Sequence, residues 1–355
     1  KGQAKGATKE IVHQLERVLK ANPNHPGANH YYIHAVEASP NPERALGAAH
    51  RLRFLVPDAG HLVHMPSHIY LRVGMYHEAA LANELAIKSD EMYISQCRAQ
   101  GFYPAIYYSH NVHFLWYVTT IEGRGAVSIR AGRKTASVLS SKDVKAFPIL
   151  QWLKATPWLA LVRFGQWDAI LKERQPNRQN LFERALWHYA RGYALIRKRK
   201  SEEAGKELAE LQKILNEKGA QALESPSFPG HRVMKVAEMV LSAELDGVNG
   251  KARQRIEKLQ KAVSLQDALP YMEPPFWYFP VRQLLGRALL ESGHASDAEK
   301  VYRADLKKHP ANGWSLFGLL QSLRGQGRTE EAATTQRQFR EAWKHADVVL
   351  TSSCF

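Results

Sequence analysis

The 355-residue chain is predicted to be all-α, a solenoid of about seven helix pairs stacked along one axis. Three observations predict it. Small and helix-ending residues recur 34 positions apart: Pro23 and Pro57, Ala45 and Ala79, Gly293 and Gly327, Ala298 and Ala332. Apolar residues recur at helical spacing along the whole length, and no strand-type alternation persists. The composition, 45% hydrophobic and 23% charged with a mean hydropathy of −0.40, is that of a water-facing chain with enough apolar residues for a continuous core.

The stretch 279–310 carries the period most completely, with Leu285, Gly286, Leu289, Gly293, Ala298, Tyr302 and Pro310 at their expected places. Weaker units are outlined by Trp158, Gly165, Trp167 and Ala169, and by Ala185, Gly192, Leu195 and Ala204. A further helix pair is predicted over 231–264, around Gly247 and Gly250. Such a period, with Gly or Ala in the first helix, Ala and an aromatic in the second and Pro at the end, resembles the tetratricopeptide repeat. Proline-rich breaks fall near 100–108, 173–180, 224–231 and 270–280. The chain therefore reads as one continuous solenoid in three stretches. N-terminal repeats span 1–135, degenerate middle pairs 136–267, and an aromatic connection with C-terminal repeats 268–355. That connection holds Tyr271, Phe276, Trp277, Tyr278 and Phe279 beside Glu273, Pro274 and Pro275.

Composition narrows the function. Two cysteines, Cys97 and Cys354, build neither a disulfide framework nor a thiolate metal site alone. No apolar run approaches the roughly 20 residues of a membrane span. The net charge of +15 suits an acidic partner, yet basic residues are spread along the chain and cluster only at Arg197, Lys198, Arg199 and Lys200. No basic-aromatic nucleic-acid motif accompanies them, so a solvated basic surface is the expected reading and nucleic acid is not an expected partner. No signal peptide is visible and the first residue is Lys1, which leaves both cytoplasm and periplasm open for a protein expected to be soluble.

Sixteen histidines are present, nine of them between residues 30 and 113. His30 and His34 are four apart, as are His64 and His68, and His110 and His113 are three apart, spacings that put both imidazoles of a pair on one helix face. An i,i+4 histidine pair is an established way to hold a metal on a helix. His64 and His68 also stand 34 residues after His30 and His34. Stacked repeats place equivalent positions side by side, so the two pairs are expected on neighbouring parallel helices facing the same way. Neutral imidazoles in such a cluster need partners and charged ones repel, and a metal resolves both. Imidazole ligands point to zinc or copper rather than magnesium or calcium. Seven histidines exceed the needs of one ion, so one or two are expected. His25 and His50 fall off this face. His13, His77, His188, His294, His309 and His345 read as ordinary surface or hydrogen-bonded histidines.

The runs HPGANHYYIHAVE (25–37), GHLVHMPSHIY (60–70), SHNVHFL (109–115) and EPPFWY (273–278), with Arg282, carry a more specific likeness. Together they resemble a family of bacterial tetratricopeptide repeat proteins of mostly undefined function, similar in architecture to the eukaryotic tetratricopeptide repeat protein 38 group. The resemblance covers essentially the whole chain and implies relatives that are longer at the N-terminus. It also implies which face the histidines occupy. With repeats starting at Pro26 and Gly60, and a third aligned on Gly123, His30, His34, His61, His64, His68, His110 and His113 fall at groove-lining positions. Glu37 and Tyr117 join them there.

Two classes of function compete. In the first, those seven histidines hold copper or zinc in a metalloenzyme. Glu37 and Tyr117 are its candidate catalytic groups, with Glu37 a ligand, supporting partner or general base. Tyr31, Tyr32, Tyr107 and Tyr108 are expected to line the pocket. The 273–282 segment closes over it, with Glu273, Trp277 and Tyr278 as walls and Arg282 for an anionic substrate. Copper would mean oxidation with O₂, zinc hydrolysis. In the second, the chain is an interaction scaffold holding a peptide in its groove, the usual task of a repeat solenoid. Metal storage or sensing without chemistry is a third possibility. A small molecule or a peptide is thus the expected groove ligand.

Overall fold

Proline and glycine set the frame of each repeat. Pro26 and Pro66 stand in the first turn of their helices, where a missing N–H costs nothing. Gly293 and Gly327 adopt left-handed backbone, φ 80° and 71°, where the chain turns from the first helix of a pair to the second. Their 34-residue separation is therefore the repeated turn itself.

The computed structural model describes residues 2–355. Among them no strand forms, apart from an isolated bridge between Glu224 and Pro229. Helix α1 (Thr8–Ala21) precedes the first pair, α2 (Pro26–Glu37) and α3 (Leu46–Leu55). The second pair has a broken first helix, α4 (Gly60–His64) and α5 (Pro66–Val73), answered by the long α6 (Tyr76–Cys97). A π-helical segment (Tyr103–Tyr108) leads into α7 (Ser109–Glu122) and its partner α8 (Gly125–Ser137). Short helices α9 (Ser141–Ala146) and α10 (Gln151–Lys154) connect to α11 (Thr156–Arg163) and α12 (Trp167–Lys172). Next come α13 (Leu181–Arg197) with α14 (Ser201–Asn216), the short α15 (Lys218–Gln221), and α16 (Gly230–Val248) with α17 (Ala252–Ala268). The series ends with α18 (Val281–Glu291) and α19 (Ala295–Lys308), then α20 (Gly313–Gly325) and α21 (Thr329–Ala342). Among the described residues these make eight pairs, one more than the periodicity suggests. The architecture is an all-α solenoid of the tetratricopeptide type. No helix in it is long and apolar enough to cross a membrane.

Side-chain size explains the periodic residues. Tyr302 of α19 is fully buried between Gly286 of α18 and Gly318 of α20. A Cβ on either glycine would lie 2.3 or 2.2 Å from its ring, so only glycine lets three successive helices close on one aromatic.

The solenoid closes on itself. The Tyr76 hydroxyl donates to the Pro310 carbonyl (2.8 Å), and the Trp314 indole N–H to the Thr120 carbonyl (3.1 Å). Asp347 accepts from the Ala126 N–H at the start of α8 (2.9 Å). The last repeats thus meet the second and third. The C-terminal segment then runs inward. Ser353 bonds Tyr302 and the Gln283 carbonyl, while the Phe355 carbonyl accepts from Tyr193 and Arg287. One short segment thus touches α13, α18, α19 and α20.

Candidate metal centre

Three first helices bring the imidazoles together. Helix α2 supplies His30 and His34. Helices α4 and α5, interrupted at Met65–Pro66, supply His61, His64 and His68, and α7 supplies His110. They border a cavity of about 670 Å³ together with Tyr31, Glu37, Tyr107 and Glu273, while His64 lies fully buried behind them. The π-helical segment, with its wider turn, brings Tyr107 edge-on to His61 (ring centroids 4.7 Å).

The six rings form two sets. In the inner one, His64 Nε2 stands 2.9 Å from His68 Nε2 and 3.1 Å from His110 Nε2. In the outer one, His61 Nε2 lies 3.2 Å from His30 Nε2, with the His34 ring centroid 4.9 Å from that of His30. Within each set the donor atoms lie within 4.8 Å of one another. Nitrogens bonded at 2.0 Å to a tetrahedral zinc stand about 3.3 Å apart, close to the inner spacings.

The surrounding hydrogen bonds orient the inner rings. The Asn83 amide donates to the Ala79 carbonyl (2.7 Å), so its oxygen is left to accept from His64 Nδ1 (2.7 Å). His64 Nε2 then presents a lone pair to the cluster. His68 Nδ1 faces two carboxylates, Glu273 Oε2 at 2.9 Å and Glu37 Oε2 at 3.2 Å. With the His68 proton on that side, a second lone pair meets the first at 2.9 Å. Two facing lone pairs need a cation or a proton between them.

Extra protons are opposed on the rings. Burial, reinforced by neighbouring histidines, holds His64 and His110 well below the ordinary imidazole range. Burial also lowers His68, against the pull of Glu37. It takes His30 to about 4 and His61 to about 3, with neighbouring imidazoles adding to the effect. Burial raises Glu273 to about 8, although the Tyr271 hydroxyl donates to its Oε1. A shared proton at Glu273 and a cation among the Nε2 atoms are therefore alternative ways to satisfy this cluster. The neutral imidazoles and the carboxylate–histidine contact fit zinc or copper. His68 and His110 border the cavity, which leaves the inner set one side open to a small ligand.

The other sequence-predicted site residues stand apart from the two imidazole sets. His113 borders the cavity but turns from the imidazole sets. Its ring stacks on Trp116 (5.1 Å) and meets Trp152 edge-on (4.5 Å), and its Nε2 has no hydrogen-bond partner. Tyr117 is buried and does not border the cavity. Tyr32 and Tyr108 point away, donating to Glu16 and Glu91. Trp277 and Tyr278 are core residues, each 1% exposed and packed on Tyr189, because such large rings bury more area there than on a pocket wall. Arg282 is held by both oxygens of Asp267, which occupies the fork that an anionic substrate would need. Of that connection only Tyr271, Met272 and Glu273 reach the cavity. His25 caps α2, its Nδ1 accepting from the Ala28 N–H, and His50 bonds the Tyr70 hydroxyl, both off the groove. Asn83 and Arg72 were not anticipated. Arg72 donates to the Glu37 carbonyl and stacks over Tyr271, tying that residue to α2.

No family model matches the chain, and no curated protein matches it. Solved structures similar to it include the assembly chaperone of RpL4, Acl4 (residues 1–338), at 14% identity over 92% of this chain and 99% of that one, TM-score 0.29. The TPR domain of P58(IPK) is 13% identical over 96% of this chain and 92% of that one, TM-score 0.27. The Naa15/Naa10 complex bound to HypK-THB contains a chain 15% identical over 96% of this chain and 43% of that one, TM-score 0.28.

Proposed function

We propose that the N-terminal repeats bind zinc or copper through His64, His68 and His110, with His30, His34 and His61 as an adjoining set, and that the chain acts on a small ligand in the cavity beside them. The observation that supports this most is the pair of Nε2 atoms of His64 and His68 at 2.9 Å, both turned inward by partners on the opposite nitrogen. Zinc there would supply Lewis-acid activation of water for hydrolysis, and copper would supply electron transfer with O₂. The chain's own residues bind and orient. Glu273 and Asn83 hold the rings, Glu37 stands at the cavity edge as a proton acceptor, and Tyr31 and Tyr107 wall the opening. A volume near 670 Å³ is of the size that takes a compact ligand.

The second reading is a scaffold for a peptide partner. Its support is the repeat architecture together with the apolar side of the cavity, Ile106, Leu150 and Leu153, against which a peptide side chain would pack.

Metal analysis by inductively coupled plasma mass spectrometry, on untagged protein expressed with copper, zinc and iron supplied, separates the readings. The metal reading expects copper or zinc that disappears from the groove in a His64→Ala/His68→Ala variant. Folded wild-type protein without groove metal would overturn it and leave the peptide reading. Glu273→Gln gives a graded result. The amide still reaches His68 but no longer carries a negative charge, so metal affinity is expected to fall about 10–100-fold in chelator competition.

A further inference from the structure

A second set of metal-ligating side chains stands where the C-terminal segment meets the second and third repeats. His77 lies in the first turn of α6, Glu122 is the last residue of α7, and His345 follows α21. His77 Nδ1 is 2.7 Å from Glu122 Oε1, and the Glu122 side chain is 3% exposed. The His77 and His345 rings stack face to face, centroids 3.7 Å apart and planes within 9°, so one ring must turn out of the stack for both in-plane lone pairs to reach a shared ion. One donor atom from each of the three residues lies within 4.8 Å of the others. They border a cavity of about 940 Å³, so an ion has access from solvent.

The nearby charges are compatible with a cation. Arg124 reaches the far oxygen of Glu122 at 3.5 Å but bonds more closely to Glu84 at 2.9 Å. Lys344 is paired with Glu341. Glu78 and Glu341 add carboxylates to the same cavity, which Arg303, Lys307 and Arg337 also line, Arg303 being paired with Glu299 and Glu331. Two imidazoles and one carboxylate form a donor set that suits zinc, with a water as fourth ligand.

We propose that His77, Glu122 and His345 bind a divalent transition-metal ion, zinc by donor type, and that this ion clamps the C-terminal segment onto the second and third repeats. The location gives the clamp its purpose. The ligands come from three elements far apart in sequence, and a link that closes so long a loop removes much of the freedom of the opened chain. The Tyr76–Pro310 contact borders this cavity, and beyond it Trp343 and Ala346 pack on Gly123 while Asp347 accepts from the Gly125 and Ala126 N–H groups, so the ion would extend a seam already formed. The ion would hold the ring of repeats shut from outside the histidine groove. The site shares no residue with the histidine groove.

The test uses the full chain, with zinc alone as probe. Bound zinc is counted in wild type, His345→Ala, Glu122→Gln and His64→Ala/His68→Ala, and amide exchange is followed over residues 343–348. His345 is exposed, so its variant tests the site without opening the core. The expected result is loss of one zinc equivalent in His345→Ala and in Glu122→Gln, and its retention in His64→Ala/His68→Ala. Zinc at 100 times its dissociation constant should slow exchange of 343–348 about 100-fold in wild type and not in His345→Ala. An unchanged zinc count in His345→Ala, or exchange over 343–348 that ignores zinc, would overturn the proposal. Groove failure appears separately, as a His64→Ala/His68→Ala variant that binds as much metal as wild type.

Discussion

His64→Ala is expected to lower the groove's affinity for zinc or copper by more than about 100-fold, beyond what loss of a merely supporting partner costs. His34→Ala is expected to cost less than about tenfold in the same chelator competition. The difference follows from position. His64 is fully buried, fixed by Asn83, and its Nε2 lies within 3.1 Å of both other inner nitrogens. The His34 side chain is 41% exposed, so water can take its place at an ion held by His30 and His61. His110→Ala, at a partly exposed ring, should fall between them. Circular dichroism and the urea midpoint of the metal-free proteins check that each variant remains folded. Equal losses in His34→Ala and His64→Ala would show that the inner set is not the stronger one.

The repeat was legible because its cause is local. Gly293 and Gly327 mark the same left-handed turn, and Gly286 with Tyr302 marks the same packing of one helix on the next. The grouping of His30, His34, His64 and His68 was legible for the same reason. Equal repeat positions on stacked helices must face one another, and the structure brings those four together with His61 and His110.

What sequence reasoning missed depends on contacts without a period. Glu273 meets His68 across 205 residues, and the connection that carries it enters the groove for only three residues before its aromatics turn into the core. Its density of rings and prolines fits a pocket wall and a packed joint equally well, which is why Trp277, Tyr278 and Arg282 were expected at the ligand. His113 shares a helix face with His110, but a three-residue step leaves rings about 60° apart around the axis, enough for Trp116 and Trp152 to claim it. Asn83 left one faint trace, a lone amide among Ala79, Ala80, Ala82 and Ala86 on a helix flank otherwise too small to need one. The closure by residues 343–355 left none, because it depends on the pitch of the whole superhelix.

The second large effect is expected far from the histidines. Glu244 of α16 is 3% exposed and bonds both Arg287 of α18, itself 5% exposed, and Arg255 of α17. Burial pushes its carboxyl up, but Arg287 and Arg255 outweigh this and hold it below the ordinary glutamate value. A depressed carboxylate contributes stability that is full above its unfolded pKa of about 4.5 and is lost as pH falls through the lower folded value. Glu244→Ala leaves the buried Arg287 with only Glu291 at 3.6 Å and the Phe355 carbonyl at 3.3 Å, while the half-buried Arg255 keeps Glu291, at a cost of about 3 kcal/mol read from the urea midpoint at neutral pH. A Glu244→Met/Arg287→Met double variant removes both charges of the buried pair and should recover most of that loss, since an unpaired buried charge costs more than an absent pair. If the single variant costs less than about 1 kcal/mol, water reaches Arg287 and the joint between the middle and C-terminal repeats is looser than its burial implies. A double variant as unstable as the single would place the stabilisation in the packing of the arginine stem rather than in its charge.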